Sequence, residues 1–72
     1  PWVIYVTVEN RSRGEGQVAV TARLIDPATR DVLAENEVTA QFRGHETITV
    51  AIELQPQTAG PFEEQVEAED PA

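Results

Sequence analysis

The sequence of 72 residues contains no cysteine and no lysine, and it has a single histidine, His45. The absence of cysteine excludes disulfides and leaves a zinc site of the usual Cys/His kind without ligands. The absence of lysine excludes a Schiff-base nucleophile. A domain of this length buries only about 60% of the surface of its unfolded chain, so small scaffolds rely on disulfides, metals or association. This composition therefore leaves association with a partner as the additional source of stability.

Basic residues are also scarce, with 5 against 13 acidic residues and a formal net charge of −8. This balance argues against binding to nucleic acid or to an anionic membrane surface, because both draw affinity from positive side chains. All the basic residues are arginines. An arginine-only, glutamate-rich chain is typical of salt-loving organisms and of genomes rich in GC, and both origins stay open.

Alternating hydrophobicity is the main signal in what remains. Every second residue from Ile48 to Leu54 is a large aliphatic, and the intervening residues are Thr49, Ala51 and Glu53. Successive side chains of a strand point to opposite faces, so this pattern predicts a half-buried strand. The alternation recurs along the chain and predicts an all-β antiparallel sheet structure. The predicted core is Ile4, Val6, Val8, Val18, Val20, Leu24, Val38, Phe42, Ile48, Val50, Ile52 and Leu54.

The chain is predicted to form one domain. Residues 1–54 form its antiparallel β-sandwich core, 55–61 an extended connector, and 62–72 a weak edge strand with an acidic tail. A strand from Phe62 to Ala68 is preferred to a fraying tail, although the crowded carboxylates favour the tail. A pattern slip between Ala34 and Asn36 predicts a bulge in the third strand.

No targeting or membrane-spanning segment is predicted within this chain. The longest apolar run, Trp2 to Val6, is far too short to cross a bilayer, and no signal sequence precedes it. The chain starts at Pro1, and we interpret it as a fragment or a matured product of a longer protein.

The strands and their connections resemble a known group of domains. The matching segments are Val6 to Ser12, Val18 to Leu24, Asp26 to Glu35 and Phe42 to Val50. Together they resemble the Ig-like sandwiches of bacterial and archaeal surface proteins, including adhesion-type CARDB modules and accessory domains of glycoside hydrolases. The resemblance implies an Ig-like β-sandwich and an extracytoplasmic or cell-surface location. A complete sandwich has about seven strands, whereas four to five are predicted here, so the sandwich is expected to be incomplete.

Catalytic chemistry finds little support in the sequence. As a general base, His45 needs a nucleophile and an orienting acid, and the only serine, Ser12, lies in a different predicted loop. We interpret His45 as an exposed turn residue and predict that the protein is not an enzyme and has no cofactor.

The sequence suggests two hypotheses for ligand binding. Oxygen ligands for Ca²⁺ could come from Asp26 and Asp31, or from the acidic residues Glu63, Glu64, Glu67, Glu69 and Asp70. No EF-hand pattern is present, and a solvated charge run is preferred. Trp2 and Tyr5 could stack on sugar rings. They are predicted to point to opposite faces of one strand, so Trp2 is interpreted as a core or interface residue.

The favoured function is a non-catalytic structural or protein-interaction module. The alternative is an accessory domain that binds carbohydrate or a divalent cation for a neighbouring enzyme. The predicted interaction surface is Trp2, Val3 and Tyr5, because the first strand is apolar on both faces and an apolar edge strand needs a cover. The expected partner is a second copy of the chain or a neighbouring domain of the longer protein.

Overall fold

The fold is that of a computed structural model, which describes residues 1 to 69. The predicted all-β class is confirmed, since this part of the chain forms five strands, all paired antiparallel, in two sheets. The strands are β1 (Trp2–Glu9), β2 (Gly16–Ile25), β3 (Val32–Phe42), β4 (Thr47–Leu54) and β5 (Glu63–Glu69). Residues 70 to 72 of the predicted acidic tail lie outside the described residues.

The two sheets differ in size. Sheet 1 contains β1 and β4, and sheet 2 has the order β3, β2, β5, so β2 is its central strand. The chain therefore crosses between the sheets three times, after β1, after β3 and after β4. Strand β5 lies at the edge of sheet 2, where it pairs with β2 from Ala19 to Ile25.

The core lies between the sheets and is built from the alternate positions of the strands. The fully buried side chains of Val20, Ala22 and Leu24 on β2 meet Ile52 and Leu54 on β4 in one hydrophobic cluster. Every predicted core residue belongs to this cluster or packs against it. Thr47, Thr49 and Glu53 are exposed, which confirms the predicted register of β4.

The bulge of the third strand is displaced from its predicted place. Ala34 and Asn36 pair regularly with Leu24 and Ala22, whereas the register shifts where Ile25 pairs with Val32 and leaves Leu33 over. The adjacent apolar residues Val32 and Leu33 interrupt the alternation, and the bulge occurs at this interruption.

Truncation of a buried β4 side chain tests the packing. We expect Ile52→Ala to lower the free energy of unfolding in urea by about 2 to 5 kcal/mol, because the lost methylenes leave a cavity. The control, Thr47→Ala on the exposed face of the same strand, should stay within about 0.5 kcal/mol of the wild type. Equal losses in the two variants would contradict the register.

Candidate interaction site

The three residues of the predicted interaction surface lie on two faces of β1. Trp2 is two residues from the buried Ile4, so both side chains are on the inward face of β1, whereas Val3 and Tyr5 point away from the core. Tyr5 is 73% exposed and Val3 41%. The prediction that Trp2 and Tyr5 point to opposite faces therefore agrees with the strand, and the outer face of β1 carries two exposed large apolar side chains.

Trp2 connects the two sheets at one end of the molecule. Its ring meets the ring of Phe62 edge to face, with centroids 5.2 Å apart and an interplanar angle of 89°. Its indole Nε1–H donates a hydrogen bond of 2.8 Å to Glu64 Oε2 on β5. A partly buried tryptophan commonly combines apolar contact with a satisfied N–H in this way. These contacts place β5 on the same side of the sandwich as β1.

The outer edge of β1 has no strand partner within residues 1–69. Asn10 N donates to Glu46 O at 2.9 Å, which extends the β1–β4 register by one pair. Hydrogen-bonded pairs alternate with non-bonded ones in an antiparallel ladder. The even residues of β1 therefore bond to β4, and the odd residues, Val3, Tyr5 and Thr7, turn their backbone N–H and C=O groups to the free edge.

A side-chain contact supports this assignment. Thr7 and Thr49 are directly opposite, and their hydroxyl oxygens are 3.1 Å apart. Side chains approach most closely at non-hydrogen-bonded pairs. The opposite edge of sheet 1 is formed by β4, and β3 contacts it. Asn36 Nδ2 of β3 donates a hydrogen bond of 2.9 Å to Glu53 O of β4. This side chain satisfies one outward carbonyl of β4.

Both edge strands of sheet 2 carry charged side chains. Strand β5 contains four glutamates, Glu63, Glu64, Glu67 and Glu69, and β3 contains Glu35 and Glu37. Charged residues on an edge strand discourage pairing with another chain. In contrast, β1 is uncharged from Trp2 to Val8. It is the edge of the described structure best suited to accept a further strand.

A second cluster of polar contacts lies at the other end of the sandwich, around Asn10. This side chain is buried, with a relative exposure of 8%. Its Nδ2 donates to Gly14 O and to Arg43 O, both at 2.9 Å. Its Oδ1 accepts from Ser12 N at 3.0 Å and Ser12 Oγ at 2.8 Å. Asn10 thus joins the β1–β2 loop to the β3–β4 turn. Its side-chain amide donates two hydrogen bonds and accepts two, so all of its hydrogen-bonding positions are satisfied.

The close approach of these loops explains Gly44. A Cβ atom at this position would overlap the backbone of Arg13. Glycine is required where two backbone segments approach so closely. Beside this contact lie two adjoining shallow depressions of about 270 and 330 Å³, which share Glu15, Gln41 and Phe42. They are open and mostly polar, unlike the enclosed apolar pockets that bury small ligands.

His45 and Ser12 lie closer together than the sequence indicated. His45 N donates to Ser12 O at 3.0 Å, and His45 occupies the left-handed region with a φ of 57°. The Ser12 hydroxyl, however, donates to Asn10 rather than to the imidazole. A nucleophile and its general base need that side-chain bond. The contact is therefore between backbones and shapes the turn.

The candidate calcium ligands do not gather at one place. Asp26 Oδ1 accepts from Ala28 N at 2.8 Å and so closes the β2–β3 turn. Glu63 pairs with Arg30, and Glu64 with Trp2. Among residues 1–69, no group of three or more His, Cys, Asp or Glu side chains is placed to hold a metal ion. The same range contains no helix with the length and apolar character needed to cross a membrane.

The outer face of sheet 2 carries an ion-pair network centred on Arg23 of β2. Its Nε is 2.5 Å from Glu35 Oε2 on β3, and its Nη1 is 3.2 Å from Glu67 Oε2 on β5. Hydrogen bonds from Arg23 to Glu35 and then to Glu67 raise the pKa of its guanidinium group. One cation thus separates two carboxylates and spans all three strands.

Sequence reasoning missed the contacts that build these features. Asn10 follows a strand and precedes Ser12, a local signal for side-chain bonds to a turn. The roles of Phe62, Glu64 and Asn36 depend on contacts between distant segments, and no local pattern signals them. Comparison of the chain with protein families, curated proteins and solved structures finds no match. The resemblance to Ig-like surface modules therefore stays a prediction.

The amide of Asn10 can be tested by substitution. We expect Asn10→Ala to lower the free energy of unfolding by roughly 2 to 4 kcal/mol, since two loop carbonyls lose their donor. Asn10→Asp keeps the shape but cannot donate at neutral pH, and it should lose at least as much. The control, Asn36→Ala, removes an exposed amide and should cost under about 1 kcal/mol. Wild-type stability of Asn10→Asp in urea unfolding would contradict this role.

Salt is expected to stabilise the fold. With a net charge of −8, repulsion among carboxylates weakens the compact state, and raising NaCl to about 1 M screens it. The melting temperature should rise more steeply with salt in Arg23→Gln, where Glu35 and Glu67 lose their shared cation. Arg11→Gln makes the same charge change in an exposed loop and serves as the control. A wild-type melting temperature that is unchanged or lowered between low and molar salt would refute the expectation.

Proposed function

We propose that this chain is a non-catalytic protein-interaction module that acts by adding a strand to the free edge of β1. The observation that carries the proposal is the combination of outward backbone groups at Val3, Tyr5 and Thr7 with a strand that is uncharged from Trp2 to Val8. An unpaired edge is a template for another chain unless charge or a cover protects it. Strand addition supplies affinity through main-chain bonds and specificity through alternate side chains.

In this proposal the module is Ig-like and belongs to a larger extracytoplasmic protein. The support is the two-sheet sandwich, together with the strand and turn sequences that resemble surface modules. The strand that pairs with β1 comes from a neighbouring domain or from a second copy of the chain. The size of the domain supports a partner, because 72 residues without disulfides form a small core.

Amide hydrogen exchange tests whether the edge is free. In the dilute chain we expect fast exchange at the N–H groups of Val3, Tyr5 and Thr7 and slow exchange at Ile4, Val6 and Val8, which bond to β4. The even residues serve as the internal control, because they lie on the same strand. Protection of the odd amides in a monomer would show that the chain covers its own edge, and the proposed function would be wrong.

A further inference from the structure

The two sheets are mismatched by one strand. Strand β4 of sheet 1 lies beside β3 and β2 of sheet 2. Strand β1 lies on the other side, where Trp2 contacts Phe62 and Glu64. Sheet 2 has three strands and sheet 1 only two. The free edge of β1 therefore lies on the β5 side of the sandwich, and within residues 1–69 sheet 1 has no third strand there.

The inner face of β5 is uncovered at this place. Val66 is opposite Ala22, and Ala68 is opposite Val20, so these side chains share the inward face of sheet 2. Ala22 and Val20 have 0% exposure, whereas Val66 is 41% exposed and Ala68 is also exposed. The same face of the sheet is thus sealed along β2 and open along β5.

We propose that this space, the strand slot, binds one extended segment of another polypeptide in which apolar residues alternate with polar residues that include arginine or lysine. The strand slot consists of the β1 edge at Val3, Tyr5 and Thr7 and the β5 inner face at Val66 and Ala68. The proposal rests on the proposed function and names the kind of strand that the edge accepts.

The alternation follows from the geometry of the strand slot. A strand bonded to β1 lies about 4.8 Å from it and about 10 Å from sheet 2. Every second side chain then faces Val66 and Ala68 and must be apolar to cover them. The others lie on the outer face, in line with Val3 and Tyr5. The bound segment completes a sandwich of three strands over three.

The preference for basic residues follows from charge. The chain carries a net charge of −8, and Glu64 lies on the inner face of β5, in line with Val66 and Ala68. Complementary charge speeds encounter and rejects partners of like charge. A basic segment is attracted to the strand slot, whereas an acidic one is repelled.

The same geometry disfavours a second copy as the occupant. If β1 paired with β1 of another copy about a two-fold axis, both β5 strands would extend into the same space. Each copy would also bring a charge of −8 to the contact. A single strand from a different segment meets neither obstacle.

Three synthetic peptides test the inference, with binding measured by the NMR shifts of β1 amides. The basic peptide is Thr-Val-Arg-Ile-Thr-Val-Arg-Ile, the acidic one has Glu at both Arg positions, and the third replaces the second Thr of the basic peptide with Pro. We expect the basic peptide to bind at least about tenfold more tightly than the acidic one at low salt, with the difference shrinking at about 1 M NaCl. The proline peptide should bind weakly, because it lacks an N–H for the edge.

Matched variants of the chain locate the bound peptide. Val66→Arg places a positive charge on the inner face of β5 and should weaken binding of the basic peptide about tenfold or more. Gln65→Arg adds the same charge to the outer face of the same strand and should have a much smaller effect. On sheet 1, Tyr5→Pro removes an outward N–H at the free edge, and Ala51→Pro is its control on β4.

The outcomes separate this inference from the proposed function. Equal binding of the basic and acidic peptides, or equal effects of Val66→Arg and Gln65→Arg, would overturn the inference. Sedimentation showing a dimer that dissociates in Val66→Arg would assign the strand slot to a second copy and also overturn it. In each case fast exchange at Val3, Tyr5 and Thr7 in the dilute chain would still support the free β1 edge.

Discussion

The pairing of β1 with β4 is the interaction on which the rest of this structure depends. It joins Trp2 to Leu54 and Glu9 to Thr47, so it closes most of the chain into one loop. Without it β1 has no partner strand, and the inward face of β2 loses its cover. A two-stranded sheet alone is marginal in water. Sheet 1 therefore persists because its inward side chains pack on sheet 2, and the two sheets stabilise each other.

The asymmetry of the sandwich follows from this dependence. Residues at the β4 side are buried by β3 and β2, and Asn36 satisfies an outward carbonyl of β4. The β1 side relies on Trp2, Phe62 and Glu64, whose contacts cover only one end of β5. Protection of the edges by charge is uneven as well, because β3 and β5 carry several glutamates each, whereas β1 carries only Glu9 at its end. The unpaired backbone groups of β1 and the exposed inward side chains of β5 thus lie on the same side of the sandwich.

The strands and the core could be predicted from the sequence because both depend on local alternation. Ile48, Val50, Ile52 and Leu54 face inward as their spacing requires. The predicted position of the bulge, between Ala34 and Asn36, was wrong, because the bulge lies at Leu33. Pairing with β2 decides which residue of β3 is left without a partner. The composition of the first strand indicated an edge strand in need of a cover, but which strands pair with each other could not be predicted. These properties depend on crossings between sheets and on single side chains such as Asn10, whose partners are distant in the sequence.

The placement of Trp2 and Glu69 at opposite ends of the sandwich has a mechanical consequence. Trp2 lies at the end of the sandwich where Leu54 and Phe62 meet, and Glu69 pairs with Ala19 near the other end. The molecule is 42 Å long and at most 20 Å wide. Tension applied at Trp2 and Glu69 therefore acts along the strands, and within each of the loaded ladders, β1–β4 and β2–β5, it strains the hydrogen bonds together rather than one after another. Resistance to pulling comes from the whole ladder, and the weakest single bond does not set it.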